Sequence, residues 1–536
     1  MKKTLLKVEN ISIYLKKKNI KNCLVENISF ELKEGECLGI LGESGSGKSL
    51  TCKSIMGLLD SKTFFIEGKA IYNGENLLEC RGEELRKLRG KEIAMILQNP
   101  MTCFDPLYTV GYQIAETFTE HTSYSAEEVK KKSIEILEKM QLKNPEDILL
   151  KFPHQLSGGM LQRIMIGLAL AMNPKFIIAD EPTTAIDAIT QYEIMKEFQK
   201  IKKDGKVGMI FISHDLGVIS EISDYVIVMN KGKIVSQGKK DEVFKETKDE
   251  FTKMLIEKKL VVMNRYKEIM KGGKEAKNID VSFKKENQKT IFGKEKQQVV
   301  KNVSLSLKKG ECLGIIGESG SGKSTLGKTL IGLLKPDSGN IYLEGIDMYN
   351  ANRENRKKIQ QMISIVFQDY TSSANPRFFV KDIIGEALRV LEKKLGEKID
   401  RDKKIKELLE VVGLNENFMN RYPHELSGGQ LQRVCIARAV ATNPQFILLD
   451  EAISSLDAST QTQVMDLLKD LQKKYGLSYI FITHDLPSVT YMCDRVLFFY
   501  EGNVVEEVED IYKLSQVKSP YAKKLLNSIL EINVDE

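Results

Sequence analysis

The sequence predicts an α/β protein built as two tandem domains of one kind. Three observations carry that reading. The run G-E-C-L-G-I-L-G-E-S-G-S-G-K-S, ending at Ser49, returns almost unchanged and ends again at Ser324. Around each copy, short apolar runs of strand length alternate with longer Lys/Glu-rich stretches of helical period. The 536 residues leave room for two such domains, and a composition 42% hydrophobic and 29% charged suits folded cores.

Taken in order, Cys37–Leu41 and Cys312–Ile316 are apolar runs that feed a Gly-rich turn, so each reads as a buried strand. The Leu/Ile-spaced stretches after Lys48 and Lys323 read as helices. Segments 126–142 and 401–412 have helical periodicity with solvated charges. Residues 176–179 and 446–449 are buried-strand candidates that end in acids, and 208–212 and 478–482 are further strands.

The repeat keeps its spacing. Ser157 to Glu181 is 24 positions and so is Ser427 to Glu451, while Glu181 to His214 and Glu451 to His484 are both 33. Lys48 to Gln98 is 50 and Lys323 to Gln368 is 45, so the copies differ by a loop of about five residues there. Between them the basic, Gly-paired run V-M-N-R-Y-K-E-I-M-K-G-G-K-E suits a linker. The expected division is a first domain over 1–262, a linker over 263–275 and a second domain over 276–536.

Composition narrows the class. A net charge of +6, from 80 basic and 74 acidic residues, is too mild for a nucleic-acid groove. No stretch approaches the roughly 20 apolar residues of a membrane span. Lys7 and Glu9 interrupt the apolar residues after Lys2 and Lys3, so a secretory signal is not expected. A cytosolic chain whose membrane role is peripheral is the expectation. The eight cysteines (Cys23, Cys37, Cys52, Cys80, Cys103, Cys312, Cys435 and Cys493) form no C-x-x-C pair, against a zinc or thioredoxin-like site.

The chemistry sits in the repeated motifs. G-x-x-x-x-G-K-S spans 42–49 and 317–324. Gly42, Gly45 and Gly47, like Gly317, Gly320 and Gly322, let the backbone wrap closely enough for its N–H groups to point at phosphate oxygens. Ser44, Ser46, Ser319 and Ser321 lie in the same loops, and Leu50 and Thr325 begin the helices whose N-termini add positive dipole. Lys48 and Lys323 are placed for the β- and γ-phosphates, and Ser49 and Ser324 for Mg²⁺. Asp180 and Asp450 close apolar strands, where a carboxylate can serve the same metal. Glu181 and Glu451 follow as candidate general bases, with His214 and His484 as acid–base or charge-stabilising partners. Gln98 and Gln368 offer a neutral amide to attacking water or metal. Ser157, Gly158 and Gly159, with Ser427, Gly428 and Gly429, form a second anion-binding nose in each copy. One nucleotide does not need two noses in one domain, so each nose is expected to face the other copy's P-loop.

The ordered series of P-loop, Gln loop, L-S-G-G-x-x-Q-R, apolar-Asp-Glu, D-loop and switch His resembles the signature of ATP-binding cassette proteins over nearly the whole chain. The resemblance implies, in each half, a RecA-like α/β core with a β subdomain and a helical subdomain. It also implies intramolecular head-to-tail pairing of the halves around two ATP and Mg²⁺ sites. Site one would combine 42–49, Gln98, Asp180, Glu181 and His214 with Ser427, Gly428 and Gly429. Site two would combine 317–324, Gln368, Asp450, Glu451 and His484 with Ser157, Gly158 and Gly159. The family's adenine-stacking aromatic suggests Phe283 in the second half and Tyr14 in the first. Met160 stands where the family usually has Gln, and Ala452 where it has Pro; neither removes a catalytic atom.

L-Q-N-P with F-D-P-L, and V-F-Q-D with N-P-R, are similar to the paired ATPases of peptide/nickel importers, here fused. Two permease subunits and an extracytoplasmic substrate-binding protein are the implied partners, at the cytoplasmic face of the cell membrane. No nucleic acid is implied. The segments after Gln98 and Gln368, to about 150 and 420, are the implied docking surface. Many oligopeptide-importer ATPases carry a Cys-rich C-terminal extension, whereas no Cys lies between Cys103 and Cys312. That favours nickel or a metal–chelator complex as cargo, with di- or oligopeptide import as the alternative. A soluble tandem cassette protein acting on ribosomes or nucleic acid is the remoter reading.

Overall fold

A computed structural model describes residues 3–17, 20–80, 82–98, 100–183, 186–270, 299–454 and 456–529. The chain divides into two compact units, one holding Met1–Leu260 and the other Val261–Leu456 with Thr460–Ile529.

The first unit is organised by a six-stranded sheet. Its order is Lys233–Lys239, Tyr225–Asn230, Cys37–Leu41, Gly208–Ser213, Phe176–Asp180, Ile93–Ile96. The last five strands run parallel and only the first pair is antiparallel. Phe176–Asp180 and Gly208–Ser213 are buried along their length, because a sheet covered on both faces needs continuous apolar runs. A separate antiparallel sheet joins Ile20–Lys33, Thr4–Lys17, Phe64–Tyr72 and Glu75–Asn76. Leu6, Ile11 and Val25 from it share one core with Leu38, Ile40, Ile178 and Ile210, and with Cys52 and Ile55 of the helix Lys48–Ile55. Burying each large aliphatic side chain there contributes about 1.5–3 kcal/mol.

The second unit repeats the order: Asn503–Val508, Arg495–Tyr500, Cys312–Ile316, Ser478–Thr483, Phe446–Asp450, Ile363–Val366. Again only the first pair is antiparallel. A short ribbon of Tyr342–Leu343 and Ile346–Asp347 accompanies it.

Helices fill the segments after the Gln loops. Ala126–Lys139 opens on a reciprocal cap, Glu128 N–H donating to Ser125 Oγ and Ser125 N–H to the Glu128 carboxylate. It and Arg401–Val411 match the helical segments expected at 126–142 and 401–412. Their charges are solvated on one face only, since Val129, Ile136 and Leu137, and Ile405, Leu408 and Leu409, are buried.

One expected boundary falls inside a helix. Helix Glu250–Met270 runs through the first eight residues assigned to a linker at 263–275. Val262, Met263, Tyr266 and Ile269 recur at helical spacing and are buried, at most 6% exposed, and this stripe outweighs the basic composition that suggested a linker. Residues 271–275 lie outside the described residues. Among the described residues, no helix is long and apolar enough to cross a membrane.

Candidate functional site

In a parallel sheet, ligands collect beyond the carboxyl ends of the strands. Four adjacent strands of the first unit deliver the site there. Cys37–Leu41 runs into Gly42, Gly208–Ser213 into His214, Phe176–Asp180 ends at Asp180 before Glu181, and Ile93–Ile96 leads to Gln98. In the second unit, Cys312–Ile316, Ser478–Thr483, Phe446–Asp450 and Ile363–Val366 deliver Gly317, His484, Asp450 with Glu451, and Gln368.

The P-loops need their glycines. Gly47 at φ 100° and Gly322 at φ 103° cap the helices Lys48–Ile55 and Lys323–Leu330 in a left-handed conformation that side chains resist. A Cβ on Gly42 would lie 2.3 Å from Met229 O, and on Gly317 2.1 Å from Phe499 O. Lys48 Nζ donates to the carbonyls of Gly42 and Glu43 at 2.8 Å each, and Lys323 Nζ to those of Gly317 and Glu318 at 2.8 and 2.7 Å. Burial holds the Lys48 pKa below its ordinary value, against the upward pull of Glu181 and Asp180.

Ser49 Oγ donates to Asp180 Oδ1 at 2.7 Å, and Ser324 Oγ to Asp450 Oδ1 at 2.8 Å. Burial raises the pKa of both carboxyls, the serine bonds pulling the other way. Asp180 Oδ2, Ser46 Oγ and Ser321 Oγ are buried without a hydrogen-bond partner. Such atoms are costly unless a ligand satisfies them. Hydroxyl donors on the loop suit phosphate oxygens, and a buried carboxylate oxygen beside a serine hydroxyl suits a hard divalent cation, so these residues fit a nucleotide with its metal. In the second unit, Ser324, Gln368 and Asp450 line one cleft of ≈ 330 Å³ with Lys328 and Phe367.

Glu181 and Glu451 are each held at φ 48°, a conformation uncommon for a side-chain-bearing residue and a mark of functional strain. Their carboxylates gather the rest of each cluster. Gln98 Nε2 donates to Glu181 Oε2 at 2.8 Å and Gln368 Nε2 to Glu451 Oε2 at 2.7 Å. His214 Nδ1 is 3.3 Å from Glu181 Oε2, and His484 Nδ1 is 3.7 Å from Glu451 Oε2.

Ser157, Gly158 and Gly159 open the helix Gly158–Ala171, and Ser427, Gly428 and Gly429 the helix Gly428–Val440. Both serines are exposed N-caps. Ser427 and Gln430 bond reciprocally, Ser427 N–H to Gln430 Oε1 at 3.0 Å and Gln430 N–H to Ser427 Oγ at 3.3 Å. Ser157 accepts only the N–H of Met160 in the matching motif, at 3.3 Å. Phe283 lies outside the described residues. Tyr14 sits in strand Thr4–Lys17 with its ring 6.1 Å from that of Phe65.

Two features were given no role from the sequence, the first of them the Gln of the L-S-G-G-x-x-Q-R run. Gln162 and Gln432 are buried on the Ser-Gly-Gly helices and reach the loops that leave Glu181 and Glu451. Tyr521 Oη accepts the N–H of Glu318, inside the second P-loop, at 2.9 Å. The glutamines recur five positions after each serine, a signal present in the repeat itself.

This arrangement defines a P-loop ATPase, and comparison settles its class. The ABC transporter family model matches residues 25–184 and again 300–454, and the chain belongs to that family. It is an ATP-binding, ATP-hydrolysing protein of the ABC transporter type. It is 37% identical to the peptidoglycan transport ATP-binding protein YejF of Agrobacterium fabrum, over 99% of this chain and 97% of that protein. It is also 37% identical to the glutathione import ATP-binding protein GsiA of Escherichia coli K12, over 98% of this chain and 89% of that one. A solved archaeal ribosome recycling factor, aABCE1 in complex with stalk protein aP1, aligns with a TM-score of 0.55 at 21% identity. That alignment covers 91% of this chain and 87% of the other, and it shows the tandem fold alone. Neither curated relative is named for nickel, so the cargo favoured by the missing cysteines is the less supported of the two.

Proposed function

We propose that the chain is the energy-coupling subunit of an importer for small peptides. It docks peripherally, from the cytoplasmic side, on two membrane permease subunits supplied by an extracytoplasmic binding protein. Glutathione, itself a small peptide, and peptidoglycan in the relatives' names support that cargo class over nickel. The observation that carries the hydrolytic reading is the glutamate at φ 48° in each unit, engaged by a glutamine amide and facing a histidine imidazole beside a P-loop.

Glu181 and Glu451 act as general bases. Each takes a proton from a water whose oxygen attacks the γ-phosphorus as the bond to the β-phosphate oxygen breaks, giving ADP and phosphate. Lys48 and Lys323 leave their carbonyl partners for phosphate oxygens. Gln98 and Gln368 orient the base through Nε2, which leaves Oε1 as the atom that can ligate a metal. Ser49, Gln98 and Asp180, and likewise Ser324, Gln368 and Asp450, would hold Mg²⁺. Bound there, that ion would supply positive charge against the charge that develops on the phosphate oxygens. His214 and His484 place positive charge beside the glutamate when protonated. Each cluster is completed by the Ser-Gly-Gly of the other unit, so that ATP closes the pair and hydrolysis reopens it.

Glu181→Gln with Glu451→Gln is expected to abolish turnover, by about a hundredfold or more, while ATP binding stays intact. Phosphate release and nucleotide binding measured on the same preparation check this, and undiminished hydrolysis overturns the base assignment. In liposomes with the permeases, a binding protein loaded with peptide is expected to stimulate ATP turnover and one loaded with nickel is not.

A further inference from the structure

Gln162 and Gln432 are 1% and 0% exposed. Gln162, on the helix Gly158–Ala171, donates Nε2–H to the carbonyl of Pro182 at 2.7 Å. Gln432, on the helix Gly428–Val440, donates to the carbonyl of Ala452 at 2.6 Å. Each accepting carbonyl belongs to the residue immediately after the glutamate. On its other side, Glu181 N–H bonds to Ile212 O at 3.0 Å and Glu451 N–H to Ile482 O at 2.9 Å. The left-handed glutamate is therefore pinned from both directions, and such a conformation persists only where its surroundings over-determine it.

Stability alone does not account for an amide at these positions. In both copies Oε1 is buried with no hydrogen-bond partner. A methionine of similar length would fill the space and remove that unpaired acceptor, at the cost of leaving the Pro182 or Ala452 carbonyl unbonded, so the amide adds little net stability. Yet the glutamine recurs in both helices, although their sequences diverge from G-G-M-L-Q-R-I-M-I-G to G-G-Q-L-Q-R-V-C-I-A.

We propose that Gln162 and Gln432 are positioning residues for the catalytic glutamates, tying the helix that begins at Ser-Gly-Gly to the loop that fixes the base. Movement of that helix is thereby transmitted to the glutamate of its own unit. This rests on the reading of Glu181 and Glu451 as general bases.

The test uses the full chain with Gln162→Met and Gln432→Met together. The expected result is an ATP turnover lowered by about tenfold or more at saturation, with KM for ATP within about twofold and a nearly unchanged melting temperature. A purely structural role gives loss of activity in step with loss of melting temperature, and that result overturns the proposal, as does unchanged kcat. Gln162→Glu with Gln432→Glu adds a second readout. A protonated buried carboxyl can still donate to the carbonyl and an ionised one cannot, so turnover relative to wild type is expected to fall as pH rises. A flat ratio overturns the proposal, and this variant decides the matter if the methionine variant does not fold. The Glu181→Gln, Glu451→Gln control separates the two readings. If it hydrolyses ATP, the general-base reading fails; if it is inactive while the methionine variant is fully active, only the positioning role fails.

Discussion

His214 and His484 carry the pH dependence of the two clusters. Burial lowers both imidazole pKa values, but the hydrogen bond and charge of Glu181 or Glu451, with the charge of Asp215 or Asp485, outweigh it and leave both above the ordinary 6.5. For Glu451, burial pushes upward while His484 and Lys323 pull it net below the ordinary 4.5. A histidine whose folded pKa is raised stabilises the fold fully below its unfolded value, and that contribution disappears as pH climbs through the folded value. The glutamate part is present above its unfolded value and is lost as pH falls through the lowered folded one. The pairs therefore contribute most between the ordinary values of the two groups. The melting-temperature gap between wild type and a His214→Gln, His484→Gln variant is expected to be widest near about pH 6 and to narrow towards about pH 9. A gap that widens with pH contradicts the pairing. The identity of these residues was legible because each recurs at a fixed distance in the other copy. Their strain was not, since φ 48° at Glu181 goes with long-range bonds, Glu181 N–H to Ile212 O and Gln162 Nε2–H to Pro182 O, that no local pattern announces. Gln162 stood in the L-S-G-G-x-x-Q-R run without a role of its own, because a buried amide and a solvated one look alike in an amphipathic helix.

At the scale of elements, the two Ser-Gly-Gly helices differ at their first turn. The helix Gly428–Val440 has both bonds of a capping box, while Gly158–Ala171 has one, because Met160 offers no acceptor to Ser157 N–H. Met160→Gln is expected to stabilise the first helix by on the order of 0.5–1 kcal/mol, and Gln430→Met to weaken the second by as much. Thermal unfolding of the full chain checks the pair, and equal midpoints in all three proteins would deny the cap any part in stability. Elements differed in how well the sequence announced them. Cys37–Leu41 is an unbroken apolar run and Phe176–Asp180 is one up to its closing acid, as strands covered on both faces should be. Thr4–Lys17 and Ile20–Lys33 are longer, yet their alternation is interrupted by register shifts between Val8 and Ile11 and again before Ile13. Helix Glu250–Met270 was obscured at its end by charge, although its apolar stripe continues to Ile269.

The whole chain contains each part of the machinery twice, and the proposed exchange of Ser-Gly-Gly motifs determines which changes fall in one site. In cross-paired sites, Lys48 works with Ser427 and Lys323 with Ser157. Changes within one site remove the same function and do not compound, whereas changes in different sites do. A background carrying Glu181→Gln and Glu451→Gln binds ATP without turning it over, so retained nucleotide counts the sites. With Lys48→Ala added, Ser427→Arg strikes the site already lost, and about one nucleotide per chain is expected to remain. Ser157→Arg strikes the other site, and retention is expected to fall to about zero. Pairing of each P-loop with its own Ser-Gly-Gly inverts the two outcomes. The duplication thus makes the pairing testable by arithmetic on a single polypeptide.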